Sequence, residues 1–232
     1  MKILGLIGGT GPESTIEYYR LLVAKYREQA DGHSPPVIIT SIDLKQMVEW
    51  MTAGNLAAVA NGLVAEFERL RKAGADFGAL TANTPHIVFD ELQQRSPLPL
   101  ISIVEAACEE VRSRGLQTVG LFGTRFTMQA PFYPAVFERA GLKLVLPNDQ
   151  EQEYIHEIYL GELLKDVFLP ETRERLLEIA DEMKRRDNIE GLILGGTELP
   201  LLLRGDMHNG IPLLDTTRIH VEKLIAEMLR SP

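Results

Sequence analysis

Two short stretches of this chain carry residue types that can handle a small acid: Thr81-Ala82-Asn83-Thr84-Pro85-His86 and Gly195-Gly196-Thr197-Glu198-Leu199-Pro200. The hydroxyls and amide of Asn83, Thr84 and Thr197, with the loop N–H groups beside them, are suitable donors to a carboxylate. The same residue types are favoured in turns and N-caps just before helices, and one residue can do both. His86 is a candidate general acid or base, because imidazole titrates near neutral pH. The competing role is a histidine in a first helical turn satisfied by a backbone group. Glu198 is the second candidate for proton transfer, or a carboxylate placed favourably at a helix N-terminus.

Equivalent glycine loops occur earlier in each half, Gly8-Gly9-Thr10 and Gly123-Thr124-Arg125. Thr10 and Thr124 are therefore candidates for substrate binding, with turn geometry as the alternative. Arg125 can pair with a substrate carboxylate if its guanidinium points inward. The first loop lacks the third glycine of the dinucleotide fingerprint and the Gly-Lys-Ser/Thr ending of a P-loop, so neither nucleotide motif applies. His208 and His220 form no metal set with nearby residues, there is no H-E-x-x-H pattern, and no metal is expected.

The elements that must position these residues alternate regularly. Apolar runs at Ile3 to Ile7, Val37 to Ser41, Phe77 to Leu80, Leu100 to Ile103, Thr118 to Phe122, Lys143 to Leu146 and Gly191 to Leu194 read as strands. Helical patterns lie between them. One carries Ile16, Tyr19 and Val23. Another runs from about Leu56 to Ala73 with Ala57, Ala60, Val64, Phe67 and Leu70 on one stripe. Further helices are expected over Ile87 to Leu92, Glu105 to Arg114, Ala130 to Ala140, Val221 to Leu229, and Glu151 to Arg186 with a break near Pro170. Tyr18, Tyr19, Tyr133 and Tyr159 read as packing aromatics.

Strands alternating with helices imply an α/β fold built on parallel sheets. The stretch Phe77 to Thr84 matches Gly191 to Glu198 at the same point of each half, which suggests duplication. The expected division is one lobe of residues 1–98 plus 212–232 and a second of 99–211, with Pro97 and Pro99 at the crossing.

The formal charge of -9, from 24 basic and 33 acidic residues, comes with no basic block, so no nucleic-acid or anionic membrane partner is expected. No segment approaches the ~20 apolar residues of a membrane span. The single cysteine, Cys108, sits in an apolar helical stretch and reads as buried and inert. One cysteine allows no internal disulfide, which fits a reducing compartment and hence the cytoplasm.

Gly5-Leu6-Ile7-Gly8-Gly9 followed by Glu13-Ser14-Thr15, then Asn83-Thr84-Pro85-His86, then Gly195-Gly196-Thr197-Glu198-Leu199-Pro200 resemble, in this order, the motifs of the aspartate/glutamate racemase family. The resemblance implies two similar α/β lobes related by a pseudo-two-fold axis, with an active site in the cleft between them. It implies cofactor-free racemisation of an acidic amino acid, and a homodimer. In that family two cysteines, one from each lobe, exchange the α-proton on opposite faces of the substrate. The matching positions here are Ala82 and Gly196, neither of which carries a group able to exchange a proton. Asn83, Thr84 and Thr197 resemble the family residues that hold the α-carboxylate. Two functions follow as expectations. One is an isomerase acting on an amino or dicarboxylic acid without thiols, using His86 or Glu198. The other is a non-catalytic protein that keeps the acid-binding pocket. A cysteine-dependent lyase or maleate-type isomerase on the same fold is disfavoured by the same missing thiols.

Overall fold

The computed structural model describes residues 1–230. The chain divides into two compact units, Met1–Ile103 together with the chain from His220 onward, and Val104–Ile219.

The first unit opens with β1 (Leu4–Gly8), whose five residues are all buried, and passes into α1 (Pro12–Gln29). Pro12 sits in the first helical turn, where its fixed φ suits the helix and its missing N–H costs nothing. Next come β2 (Val37–Ser41), α2 (Leu44–Thr52), α3 (Leu56–Lys72) and β3 (Phe77–Leu80). A 3-10 turn, Thr84–Val88, then leads into α4 (Phe89–Arg95). The strands are parallel in the order β2-β1-β3, with Leu4 opposite both Val37 and Phe77. Burial of β1 and β3 along their whole length is what continuous apolar runs dictate in a parallel sheet covered on both faces.

The second unit's helix α5 (Ile103–Ser113) begins at the boundary. It is followed by β4 (Thr118–Phe122), α6 (Arg125–Gln129), α7 (Phe132–Arg139), β5 (Lys143–Val145) and α8 (Asp149–Gly161). Then come α9 (Pro170–Asp187), β6 (Gly191–Leu194), α10 (Leu199–Leu202), β7 (Met207–His208), β8 (Ile211–Asp215) and α11 (Thr216–Leu229), which belongs to the first unit from His220 on. The sheet order is β5-β4-β6-β8-β7, parallel except for β7. Each unit thus sets its first strand between its second and third. A parallel bridge from Gly78 to Leu100 stands in the first unit where the β6–β8 pairing stands in the second.

Several expectations change. Leu213–Asp215 pair with Leu192–Leu194, so the boundary assigned at residue 212 fails: the returning segment is a strand of the second sheet, and the first unit resumes at His220. Leu100 to Ile103 is a single bridge rather than a strand, because Ile103 already starts α5. The helix α2 was not anticipated; Asp43 caps it by accepting from the Lys45 and Gln46 N–H groups. In α1 the buried stripe is Ser14, Tyr18, Leu22 and Tyr26, spaced four apart. Ile16 and Tyr19, each 51% exposed, lie off it, which removes Tyr19 from the packing aromatics.

Helix α8 starts in a capping box. The Asn148 side chain accepts from the Glu151 N–H at 3.0 Å, and the Glu151 carboxylate accepts from the Asn148 N–H at 2.7 Å. The buried Glu151 also pairs with Arg186 of α9 at 3.2 Å. Asn148→Ala is expected to cost about 1 kcal/mol, a typical N-cap loss, readable as a lower urea midpoint. An unchanged midpoint would show that the cap carries no stability.

Candidate functional site

In an open α/β sheet a ligand crevice forms where successive connections leave a strand end in opposite directions, outside the C-terminal ends of the strands. In the order β2-β1-β3 that point lies between β1 and β3, and in β5-β4-β6 between β4 and β6. The four loops there are Gly9-Thr10, Thr81-Ala82-Asn83, Gly123-Thr124 and Gly195-Gly196-Thr197-Glu198. They are the stretches that the residue chemistry singled out.

In the first unit the two loops are joined by a hydroxyl network. Thr81 Oγ1 donates to the Ile7 carbonyl at 3.2 Å, Ser14 Oγ donates to the Thr81 carbonyl at 3.0 Å, and Thr15 Oγ1 accepts from the Gly9 N–H at 3.0 Å. Gly9 has φ +88°, and a Cβ there would lie 2.4 Å from the Ile42 carbonyl oxygen, so the loop turns only at glycine. Thr10 is half-buried in this loop. Asn83 is buried at the start of the 3-10 turn but makes no side-chain cap, so the capping role does not account for it. Thr84 is half-buried beside it.

His86 takes the backbone-satisfied alternative. Its Nε2 accepts from the Ile103 N–H at 3.2 Å, which fixes the proton on Nδ1, and Nδ1 donates to the Ala82 carbonyl at 3.0 Å. The ring stacks on Phe89 with centroids 4.8 Å apart. Burial pushes its pKa down to about 4, only partly offset by the backbone bonds to Ala82 and Asn83. A neutral imidazole with both nitrogens engaged has no lone pair or proton for a substrate, so His86 is corrected from proton carrier to scaffold.

In the second unit Thr124 caps α6, its Oγ1 accepting from the Thr127 N–H at 3.3 Å. Arg125 is bound by the Glu153 carboxylate, and its side chain is 41% exposed, so the free inward guanidinium expected from sequence is not present. The Gly195 N–H donates to the Phe122 carbonyl at 2.7 Å, locking this loop to the end of β4. Glu198, 4% exposed, receives two hydroxyl donors on Oε2: Tyr159 Oη and, at 3.0 Å, Thr197 Oγ1. Burial raises the carboxyl pKa, and the two hydroxyls moderate the rise. Burial and the neighbouring Glu198 charge push the Tyr159 phenol far up, so it stays protonated at neutral pH. Because the Thr197 proton is committed to Glu198, a carboxylate at this loop would meet backbone N–H groups first.

Sequence alone places Tyr159 only among the packing aromatics. The signal for it is invisible in sequence, since it approaches Glu198 and Gly196 across some forty residues. Ala82 is buried, Gly196 is buried, and neither offers a titratable atom. Cys108 is buried in α5, and burial raises its thiol pKa, as an inert thiol requires. Among the described residues no group of three or more His, Cys, Asp or Glu side chains could hold a metal ion, and no helix is long and apolar enough to cross a membrane.

The family model for Asp/Glu/Hydantoin racemase matches residues 7–224. The chain belongs to this family. A curated racemase-family relative, the broad specificity amino-acid racemase RacX of Bacillus subtilis, is 25% identical over 98% of both chains. A crystal structure of an aspartate racemase homologue from Pyrococcus horikoshii is 36% identical with a TM-score of 0.84, covering 99% of this chain and 100% of that one. The aspartate racemase of Picrophilus torridus, at 20% identity and TM-score 0.78 over 98% and 94% of the two chains, shares the racemase fold.

Proposed function

We propose that this racemase-family chain binds a small amino or dicarboxylic acid at its strand-end loops and carries out proton chemistry at its α-carbon without a cofactor, in the cytoplasm. One observation carries the reading: buried polar residues gather at the strand ends of both units, with Thr81 and Asn83 in one and Thr197 and Glu198 in the other. Polar residues gathered at the C-terminal strand ends beside a topological switch point are a usual mark of a ligand site in an α/β sheet. Asn83, Thr84 and loop N–H groups other than those of Gly9 and Gly195, which already donate to Thr15 and Phe122, are the donors assigned to the carboxylates.

The second reading, an acid-binding protein without turnover, is favoured by Ala82 and Gly196, which hold no proton donor where the family places its thiols. Both readings require binding. A saturating acidic amino acid, at about 100 times its Kd, is expected to stabilise the fold by about 2.7 kcal/mol. For a chain of this size that corresponds to a rise in Tm of about 5–10 °C. Differential scanning fluorimetry with L- and D-aspartate and L- and D-glutamate measures it, and Asn83→Ala should abolish most of the shift. No shift with any of the four would end the acidic-substrate reading.

A further inference from the structure

A Cβ built on Gly196 would lie 2.4 Å from Tyr159 Oη, 2.5 Å from Cε2 and 2.8 Å from Cζ. The phenol fills the space that any side chain at 196 would need, so glycine here is a requirement of Tyr159. The hydroxyl that occupies this space is not idle, because it donates to the buried Glu198 carboxylate, which Thr197 also braces. A proton donor and a proton acceptor therefore stand, in contact, where the family places one of its two thiols.

We propose that Tyr159 replaces that thiol in proton transfer, with Glu198 as the acceptor behind it, and that the chain exchanges the α-proton of an acidic amino acid from one face only. This rests on the acid-binding function proposed above. The step balances without a co-reactant. The substrate Cα–H bond breaks and its proton passes to Tyr159 Oη, while the phenolic proton moves to Glu198. The Cα electron pair is left delocalised into the substrate carboxylate. Reversal returns a proton to the same face, so the configuration is kept. Inversion needs a second donor; in the family that donor is the second thiol, and the matching position here, Ala82, carries none. Tyr159 acts on the substrate directly and Glu198 acts through Tyr159. The raised carboxyl pKa makes Glu198 a better base than a solvated glutamate, in line with the proton it must accept.

The test incubates the full chain with L- and D-aspartate and L- and D-glutamate in heavy water. Loss of the α-proton is followed by NMR, the opposite enantiomer by chiral chromatography, and binding by thermal shift. The expected result is α-deuteration at least ten times faster than the opposite enantiomer appears. Tyr159→Phe, which keeps the ring packing, and Glu198→Gln, which keeps an acceptor oxygen for the phenol, should each slow deuteration at least 100-fold while the thermal shift persists. A purely structural pair would lose stability and binding together instead. Deuteration unchanged in Tyr159→Phe overturns the proposal, and so does racemisation as fast as deuteration. Thermal stabilisation without deuteration overturns it while leaving acid binding intact. Neither stabilisation nor deuteration removes both readings.

Discussion

Gly196→Cys, the substitution that would rebuild a thiol at the second family position, is expected to lower stability by about 3 kcal/mol, the upper end of the usual cost of overpacking a core. In a chain of this size that is a fall in Tm of about 6–12 °C. The cause is local. The new Cβ would overlap three atoms of a rigid ring that is 4% exposed and tied to Glu198, and the ring cannot swing aside without breaking that bond. A double-mutant cycle separates this from a general intolerance at 196. In a Tyr159→Ala background, already weakened by its own cavity, Gly196→Cys should cost less than about 1 kcal/mol, giving a large coupling energy between the two positions. Equal costs in both backgrounds would mean that Tyr159 does not set the residue at 196. At the corresponding position of the first unit Ala82 already carries a Cβ, so the two positions are not equivalent targets for introducing thiols.

Acid is expected to unfold the first unit well before its carboxylates are exhausted. His86 and His220 are both buried and neutral. His220 Nε2 donates to the Ile101 carbonyl at 3.1 Å, and its Nδ1 accepts from Tyr18 Oη at 2.8 Å. Together the two rings hold Ile101 and Ile103, at the end of the unit's first segment. Burial, reinforced by the neighbouring His86, lowers the His220 pKa to about 3, and burial lowers that of His86 to about 4, against 6.5 in the unfolded chain. Between 6.5 and those values the unfolded chain takes up protons that the folded chain refuses. The contribution of both histidines is therefore complete above pH 6.5 and is lost as the pH falls.

At about 1.4 kcal/mol per pH unit and group, roughly 3 kcal/mol is lost from each histidine by pH 4. Together that is comparable with a total stability of about 5–15 kcal/mol. Glu198 opposes the trend, because its raised folded pKa makes its contribution largest below the ordinary carboxylate range and lost as the pH rises. Urea midpoints measured from pH 7 to pH 4 should fall steeply, and His86→Gln should remove about half of the slope. A flat profile over that interval would show that neither ring is held neutral by the fold.

Where the sequence was legible, the reason was periodicity. The buried strands β1, β3 and β6 are short apolar runs ending at small residues, and such runs have few conformational alternatives once bounded by glycine or proline. The break near Pro170 likewise marks the start of α9. The register of α1 is not legible because Ile16 and Tyr19 are apolar yet exposed, while three of the four buried positions are Ser14 and two tyrosines that a hydropathy pattern ranks low, with Leu22 the fourth. The return of the chain was misplaced because Leu213–Asp215 reads equally well as a strand of either sheet. Pairing with β6, a non-local contact, decides it.

By itself the sequence determined the alternation of strands and helices, the location of the strand-end loops, the family motifs and the presence of Ala82 and Gly196 within them, since each of these is a property of residue type and local order. The tertiary structure alone decided what the loop residues do. It closed both nitrogens of His86 on backbone groups, bound Arg125 to Glu153 and brought Tyr159 to the Glu198 carboxylate in the space above Gly196. Those outcomes depend on which groups far apart in the chain share a buried volume, where a hydrogen bond left unmade costs more than almost any local preference.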